Sequence, residues 1–204
     1  MVRAFQPRRR PGGLLEPALR GILGERAAVV DVSCGDGDWA SYLCGLGYSV
    51  HGVDHSRRRI ARNRAKAAQL GVRATFALGT PDALPAGDGM FDAVLVRHLV
   101  SRLALPHRAL KEWLRVLRAG GRILLIDSFP AERRWWSGLH RKLSSTEQER
   151  LLVPPPHPPQ RRAPFRSGLP AREARTFLRL AEVRQVQTHG LSGSPGYLVS
   201  GLKT

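Results

Sequence analysis

One stretch limits what this chain can fold into: residues 29–40, which read VVDVSCGDGDWA. A short apolar run containing Asp31 ends in Gly35 and Gly37, and a helix-like segment follows at once. Glycine lets the backbone turn tightly and approach a ligand, and the helix that begins there points free N–H groups at whatever lies above it. The stretch therefore predicts a nucleotide-cradling strand–turn–helix unit. The spacing Gly35-x-Gly37-x-x-Ala40 also fits the dinucleotide fingerprint, which alone is an unspecific pattern.

The elements that follow predict an α/β fold. Strands are expected at residues 28–33, 48–54, 72–78, 91–96 and 122–127, and helices at residues 14–23, 38–46, 57–70, 106–117 and 170–180. Alternation of this kind requires a parallel sheet with helices on both faces and right-handed crossovers. Residues 183–188 and 197–201, separated by a Gly/Ser/Pro turn, predict a terminal hairpin.

Candidate binding residues collect at one edge of this sheet. Ligands of such sheets bind beyond the carboxyl ends of the strands, where Gly35, Asp54, Thr80, Arg97 and Asp127 all fall. Asp54 follows the glycine turn by about 20 residues, where a carboxylate can accept hydrogen bonds from both hydroxyls of a ribose.

The net charge of +17 would attract nucleic acid, anionic membranes or acidic partners. However, only four of the 33 basic residues are lysines, and the arginines accompany abundant Ala, Gly and Pro, as in a GC-rich genome. The basic residues are scattered, and no basic motif interleaved with aromatic residues appears. This pattern disfavours a dedicated nucleic-acid role. The basic helix at residues 57–70 predicts a solvated outer face, with an anion site as the alternative.

Length and apolar patterning predict one cytoplasmic domain. No apolar run approaches the roughly 18 residues of a membrane span, and the basic N-terminus lacks the apolar region of a signal peptide. Residues 1–13 predict a disordered basic tail and residues 14–204 a single domain. Within it, residues 129–169 form a Pro/Arg-rich insertion that we expect to cover the substrate site. Two cysteines make no disulfide framework, and no Cys/His spacing indicates a metal site.

Four segments, in order and at family spacing, carry a resemblance to a known family: VVDVSCGDGDWA, VHGVDHS, DALPAGDGMFDAVLVRHLV and LKEWLRVLRAGGRILLID. The chain resembles the class I S-adenosylmethionine-dependent methyltransferases, especially small-molecule enzymes of the methyltransferase type 11/25 kind. The match runs from about Leu14 to Asp127, with a looser tail from Leu169. The resemblance implies a Rossmann-like, seven-stranded, mostly parallel sheet in the order 3-2-1-4-5-7-6, with the last strand antiparallel.

The resemblance also implies a role for each matching position. The implied cofactor is S-adenosyl-L-methionine. Its amino-acid part and sulfonium would lie among Asp31, Ser33, Gly35 and Gly37, its ribose at Asp54 with His55 beside it, and its adenine at the loop containing Thr80, Pro81 and Asp82. Arg97 and His98 would lie under the methionine part, near the methyl group.

Two positions depart from the family pattern. Ser33 replaces a glycine, which narrows the room over the strand end. Thr80-Pro81 replaces an Asp-Ala pair that normally accepts from the adenine amino group and donates a backbone N–H; proline has no N–H. If Asp82 does not take over, losing a hydrogen bond to a charged acceptor costs roughly 1.5–3 kcal/mol, or about one to two decades of affinity.

The predicted chemistry is direct in-line methyl transfer to a small-molecule acceptor, for which the protein mainly supplies alignment and a dry cavity. The arginine content allows an anionic acceptor. His98 is the candidate general base, needed only if the acceptor carries a proton of high pKa; a histidine that merely lines the pocket is equally consistent. Two alternatives stay open: a catalytically decayed subunit that binds protein or RNA, and an NAD-dependent oxidoreductase.

Overall fold

The computed structural model describes residues 15–128, 169–181, 183–191 and 196–204. The strands are β1 (Ala28–Val32), β2 (Ser49–Asp54), β3 (Ala74–Leu78), β4 (Phe91–Arg97), β5 (Leu117–Ser128), β6 (Arg184–Leu191) and β7 (Gly196–Leu202). They form one sheet in the order β3-β2-β1-β4-β5-β7-β6. Strands β1 to β5 run parallel, and β7 is antiparallel to both of its neighbours. The predicted fold, strand order and terminal hairpin are therefore confirmed.

Helices cover both faces of the sheet. In the described residues they are α1 (Leu15–Leu23), α2 (Asp38–Gly45), α3 (Arg57–Leu70), α4 (Pro106–Val116) and α5 (Ala171–Arg179), with a 3-10 turn at Val100–Arg102. Helices α4 and α5 pack on the face that presents Val30 and Val94, whereas α1, α2 and α3 pack on the face that presents Val29 and Leu95. Because both faces are covered, the central strands are apolar nearly throughout, as predicted.

The ends of α3 show how local chemistry fixes an element. The Ser56 hydroxyl accepts a hydrogen bond from the Arg59 N–H at 3.4 Å, which caps the first turn. Gly71 ends the helix in the left-handed conformation, at φ 62°. The predicted bounds of this helix are therefore confirmed. Its basic side chains are mostly exposed, as a solvated face requires.

Strand β5 begins earlier than predicted. The sequence predicts a helix to residue 117 and a strand from residue 122, but α4 ends at Val116 and the strand starts at Leu117, which pairs with Phe91 of β4. A register shift follows, and Gly120, at φ 72°, donates its N–H to the Lys203 carbonyl. The two glycines therefore form an irregularity within a strand, held by distant chain segments that no local pattern reveals.

The predicted tail at residues 1–13 and almost all of the predicted insertion at residues 129–169 lie outside the described residues, so both stay predictions. In the parts that the structure describes, no helix is long and apolar enough to cross a membrane.

Candidate active site

The turn after β1 contains two glycines, and the space beside the first of them, Gly35, is open. Gly35 and Gly37 adopt left-handed φ values of 57° and 72°. The Cys34 amide donates to the Val53 carbonyl at 2.9 Å, which anchors the turn to β2. A Cβ at Gly35 would meet no atom within 4 Å, whereas one at Gly37 would lie 3.0 Å from the Asn63 side chain. The space beside Gly35 suits a ligand that approaches the backbone closely, so the turn fits the predicted cofactor.

Asn63 supports this turn from α3, and the sequence analysis missed it. Its side chain is buried, and its Nδ2 donates to the Gly35 carbonyl at 2.8 Å. Its Oδ1 is buried without a hydrogen-bond partner in the described part of the chain. The spacing Ile60, Asn63, Ala67 places this amide on the buried face of a basic helix. A polar residue at such a position needs a partner, and that was the available signal.

Asp54 lies at the end of β2, as predicted, and its carboxylate also holds the glycine turn. Its Oδ2 accepts from the Gly35 N–H at 3.0 Å and its Oδ1 from the Ser56 N–H at 2.9 Å. The exposed His55 ring and the Arg59 guanidinium each approach the carboxylate to 3.6 Å. The side chain is only 1% exposed, but each carboxylate oxygen can accept a second hydrogen bond. The predicted ribose contact therefore requires those remaining acceptor positions.

Asp31 and Arg97 form a buried ion pair between β1 and β4. The Asp31 side chain is 0% exposed, and Arg97 approaches its two oxygens at 3.2–3.4 Å. Arg97 also lies over the Trp39 ring, 4.8 Å from the centroid. Burial raises the pKa of Asp31, and the Arg97 charge opposes that rise. Arg97 lies at the predicted edge of the sheet, and its guanidinium pairs with the Asp31 carboxylate.

Ser33 adopts a conformation that normally belongs to glycine. Its φ is 60°, in the left-handed region, where a Cβ is strained. The chain therefore carries a serine side chain at a backbone conformation that favours glycine. Cys34, next along the chain, is buried, and burial raises the pKa of its thiol to about 12. That thiol is a packing group, since the thiolate is the reactive form.

The predicted adenine loop is tied to α4. The Thr80 and Ala83 amides and carbonyls bond to each other across the loop at 3.2 and 3.1 Å. The Trp113 indole N–H donates to the Pro81 carbonyl at 2.9 Å. Thr80 and Asp82 are exposed, and Pro81 is half-buried. Hydrogen bonds within the loop and from α4 therefore fix the shape of the loop, and Asp82 is exposed to solvent.

Two further residues of α4 hold the continuation of this loop. The Glu112 carboxylate accepts from the Leu84 N–H at 2.8 Å, and Arg115 donates to the Ala86 carbonyl at 2.8 Å. The Arg115 hydrogen bond lowers the pKa of Glu112, with the Leu84 amide adding to the effect. The sequence did not predict these roles for Trp113, Glu112 and Arg115. Helical spacing indicates which face of α4 is apolar, but not which loop the helix contacts.

His98 follows Arg97 and pairs with a second buried acid. Its Nδ1 lies 2.9 Å from the Asp127 Oδ1, and its backbone N–H donates to the Ile126 carbonyl at 3.0 Å. The histidine side chain is 53% exposed, whereas that of Asp127 is 5% exposed. His98 also has a left-handed backbone, at φ 47°. The sequence placed both residues at this edge but did not pair them.

Residues 30–125 match the sequence model of a family described as "Methyltransferase domain". They are a methyltransferase domain of the class I, S-adenosylmethionine-dependent family. S-adenosylmethionine is the methyl donor of that family, so the resemblance found in the sequence is confirmed.

Curated relatives support the methyltransferase domain. The chain is 31% identical over 101 residues to a phosphatidylethanolamine N-methyltransferase of Cereibacter sphaeroides, covering 48% of this chain and 50% of the relative. It is 34% identical over 113 residues to a demethylmenaquinone methyltransferase of Thermus thermophilus, covering 54% and 51%. The chain spans about half the length of these two relatives.

A solved structure extends the likeness in fold beyond the matched domain. A SAM-dependent methyltransferase from Aquifex aeolicus aligns with a TM-score of 0.68, covering 93% of this chain and 90% of that one. The two sequences are 17% identical, so this likeness concerns the fold alone.

Proposed function

We propose that the protein is an S-adenosylmethionine-dependent methyltransferase that acts on a small-molecule acceptor by direct in-line transfer. The observation that carries the proposal is the open backbone at Gly35, joined to Asp54 by a 3.0 Å hydrogen bond at the turn of a methyltransferase domain. The names of the relatives, which concern a phospholipid and a quinone precursor, support a small-molecule acceptor.

Separate groups of residues would bind the methionine part, the ribose and the adenine of the cofactor. The turn at Ser33, Gly35 and Gly37 would hold the amino-acid end above Asp31, and Arg97 would line the methionine part. Asp54 and His55 would meet the ribose. The loop of Thr80, Pro81 and Asp82 would bind the adenine, and Asp82 would be the acceptor that replaces the missing aspartate.

When bound, S-adenosylmethionine supplies a methyl group activated by the positive charge on its sulfur. The chain's own contribution is then alignment and exclusion of water. The Asp31–Arg97 pair keeps the floor of the site rigid, and the ties from α4 keep the adenine loop in place. A cytoplasmic location and a lid formed by residues 129–169 complete the proposal.

Titration calorimetry with S-adenosylhomocysteine and, in parallel, NAD tests this function. We expect micromolar binding of S-adenosylhomocysteine and no heat from NAD. Binding of NAD alone would instead support an oxidoreductase. Binding of neither would favour the decayed subunit, the alternative that Ser33 and Thr80-Pro81 support because both departures lie in the cofactor pocket.

The acceptor can be sought by comparing metabolites. Mass spectrometry of a knockout strain should reveal a small molecule that accumulates without its methyl group and that purified protein methylates in the presence of S-adenosylmethionine. Unchanged metabolites, together with tight cofactor binding, would point to an acceptor outside the small-molecule class.

A further inference from the structure

We propose that Asp127 positions His98 as the proton acceptor for a hydroxyl or phenol substrate, so that the transfer is an O-methylation. The inference rests on the proposed function above. It depends on the pairing of a buried carboxylate with a half-exposed imidazole, at 2.9 Å, on the edge of the sheet where ligands of this fold bind.

The register of the sheet produces this pair. Arg97, the last residue of β4, pairs with Ile126 of β5, so the residues that follow them in the chain, His98 and Asp127, lie side by side. The His98 N–H donates to the Ile126 carbonyl and continues the ladder beyond β4. Asp127 is itself fixed in the middle of the sheet, because it pairs on its other side with Tyr197 of β7. The acid therefore belongs to a rigid strand, and the imidazole orients to it.

The hydrogen bond selects one form of the ring. A carboxylate accepts a hydrogen bond from Nδ1–H, so the neutral imidazole carries its proton on Nδ1 and leaves a lone pair on Nε2. Since the acid is buried and the ring half-exposed, Nε2 is the nitrogen available to an incoming molecule. Orientation of a histidine base by a buried carboxylate is the arrangement that recurs in hydrolytic triads.

The backbone of His98 is unusual for a residue with a merely structural role. A non-glycine residue in the left-handed region is uncommon, and such strain concentrates at functional sites. In the described part of the chain, three non-glycine residues have positive φ, namely Ser33, His98 and Gln185. Two of them lie on the edge that carries the cofactor turn, and His98 is the one that bears an ionisable side chain.

The adjacent ion pair narrows the choice of base. Arg97 is committed to Asp31 on the β1 side, while His98 is committed to Asp127 on the β5 side. The last residue of β4 and the residue after it thus couple to separate acids. Nε2 of His98 is then placed to take a proton from the acceptor during transfer. An amine lone pair attacks before its nitrogen loses a proton, whereas a neutral hydroxyl is a weak nucleophile until its proton is removed, so the pairing indicates an oxygen acceptor.

The acceptor oxygen forms a bond to the methyl carbon while its O–H proton passes to Nε2 of His98. The bond between the methyl carbon and sulfur breaks, and its electron pair stays on sulfur, which becomes neutral. The imidazolium is stabilised by Asp127 and returns its proton to solvent through its exposed side.

The first experiment reads the tautomer of His98 directly, without any acceptor. In ¹⁵N-labelled protein with S-adenosylhomocysteine bound, long-range imidazole correlations should show Nδ1 protonated and Nε2 bare. Asp127→Asn should abolish this preference and Asp127→Glu should restore much of it. His51, whose Nδ1 lies 2.8 Å from the Thr75 hydroxyl, is the internal reference and should not change. A His98 tautomer that is indifferent to Asp127 would overturn the positioning role.

The second experiment measures transfer of tritiated methyl groups to the small-molecule extract of the source organism, followed by identification of the labelled bond. Asp127→Asn should slow transfer on the order of tenfold to hundredfold, and His98→Gln by about a hundredfold or more. Affinity for S-adenosylhomocysteine should stay within about twofold. His189→Gln, a change on the edge strand β6, is the control for histidine loss.

The outcomes separate the two proposals. No labelled product from wild-type protein would contradict the proposed function, while the tautomer result would still decide the positioning of His98. A labelled N–CH₃ or C–CH₃ product, or variants that transfer at the wild-type rate, would overturn the oxygen-acceptor inference and leave the methyltransferase intact.

Discussion

At the end of β4, two consecutive residues, Arg97 and His98, pair with two buried acids, and the two pairs differ in their access to solvent. On the β1 side, Arg97 is itself mostly buried, so its pair with Asp31 is closed. On the β5 side, the His98 ring is half-exposed, so its pair with Asp127 is open. A closed pair can stabilise and shape a site but cannot exchange protons readily. An open pair can.

The same contrast runs through the rest of the sheet edge. Around the glycine turn, the polar groups of Asp54 and Asn63 bond to backbone atoms of the turn. At Asp82 and at His98, polar groups stay accessible to solvent. The glycine turn is therefore held rigid, whereas these two positions can contact an incoming molecule.

Arg97→Met should break the closed pair and cost about 3 kcal/mol of unfolding free energy, because it leaves the Asp31 carboxylate buried without its cation. Urea titration at pH 7 measures the loss. Arg62→Met is the matched control: that arginine pairs with Asp36 at the surface, and the two side chains are 55% and 66% exposed. Its removal should cost about 1 kcal/mol or less. Equal costs would contradict the distinction between closed and surface pairs.

The loss in Arg97→Met should also depend on pH. Burial already raises the pKa of Asp31, and Arg97 is the group that opposes the rise, so its removal raises that pKa further. An acid whose pKa is raised in the folded state contributes stability to the fold below its unfolded-state pKa, and this contribution is lost as the pH rises through the folded-state pKa. The deficit relative to wild type should therefore be larger at pH 8 than at pH 5. A deficit that shrinks with increasing pH would contradict the assignment of Asp31 as the affected group.

Asp54→Asn should weaken S-adenosylhomocysteine binding by about one to two decades, since hydrogen bonds to a charged acceptor contribute roughly 1.5–3 kcal/mol. Asparagine also cannot accept from both the Gly35 and the Ser56 amides through two oxygens, so the turn should loosen. Asp36→Asn changes an exposed acid in the same turn and is the matched control. Calorimetry on both variants, with a melting curve for each, separates lost cofactor contacts from lost folding.

The sequence predicted the elements of the fold well where local chemistry decides them. Ser56 and Gly71 mark both ends of α3, and the glycines of the turn need positive φ, so these could be read directly. The start of β5 could not, because the irregularity at Gly120 depends on the Lys203 carbonyl, 83 positions along the chain. The site divides in the same way: Asp31, Asp54 and His98 lay at predictable strand ends. The pairings Arg97–Asp31 and His98–Asp127, and the supports from Asn63 and Trp113, exist only after the strands and helices assemble.

Trp113→Phe should test whether the adenine loop depends on its support from α4. Phenylalanine keeps most of the ring, which packs edge-on against Phe177 with centroids 6.3 Å apart, but it loses the hydrogen bond to the Pro81 carbonyl. We expect a loss of about 1 kcal/mol in unfolding free energy and a few-fold weaker S-adenosylhomocysteine binding. Trp39→Phe, which also keeps an aromatic ring over Arg97, is the comparison on the cofactor side. Unchanged binding in Trp113→Phe would show that the loop holds its shape without α4.

Ser33→Gly should produce the smallest effect, and it bears directly on whether the departures from the family pattern weaken the cofactor side. A left-handed backbone costs a non-glycine residue roughly 1–2 kcal/mol, while the added freedom of glycine in the unfolded chain costs about 0.4–1 kcal/mol. The variant should therefore gain up to about 1 kcal/mol of unfolding free energy. Gln185→Gly, at φ 49° on the edge strand β6, should gain a similar amount and is the matched control. The two should differ in binding: only Ser33→Gly opens space over the end of β1, so only it should tighten S-adenosylhomocysteine, by a few-fold. If both variants gain stability and neither changes affinity, Ser33 lowers the free energy of unfolding but does not weaken cofactor binding. Any weakness in cofactor binding would then come from Thr80-Pro81.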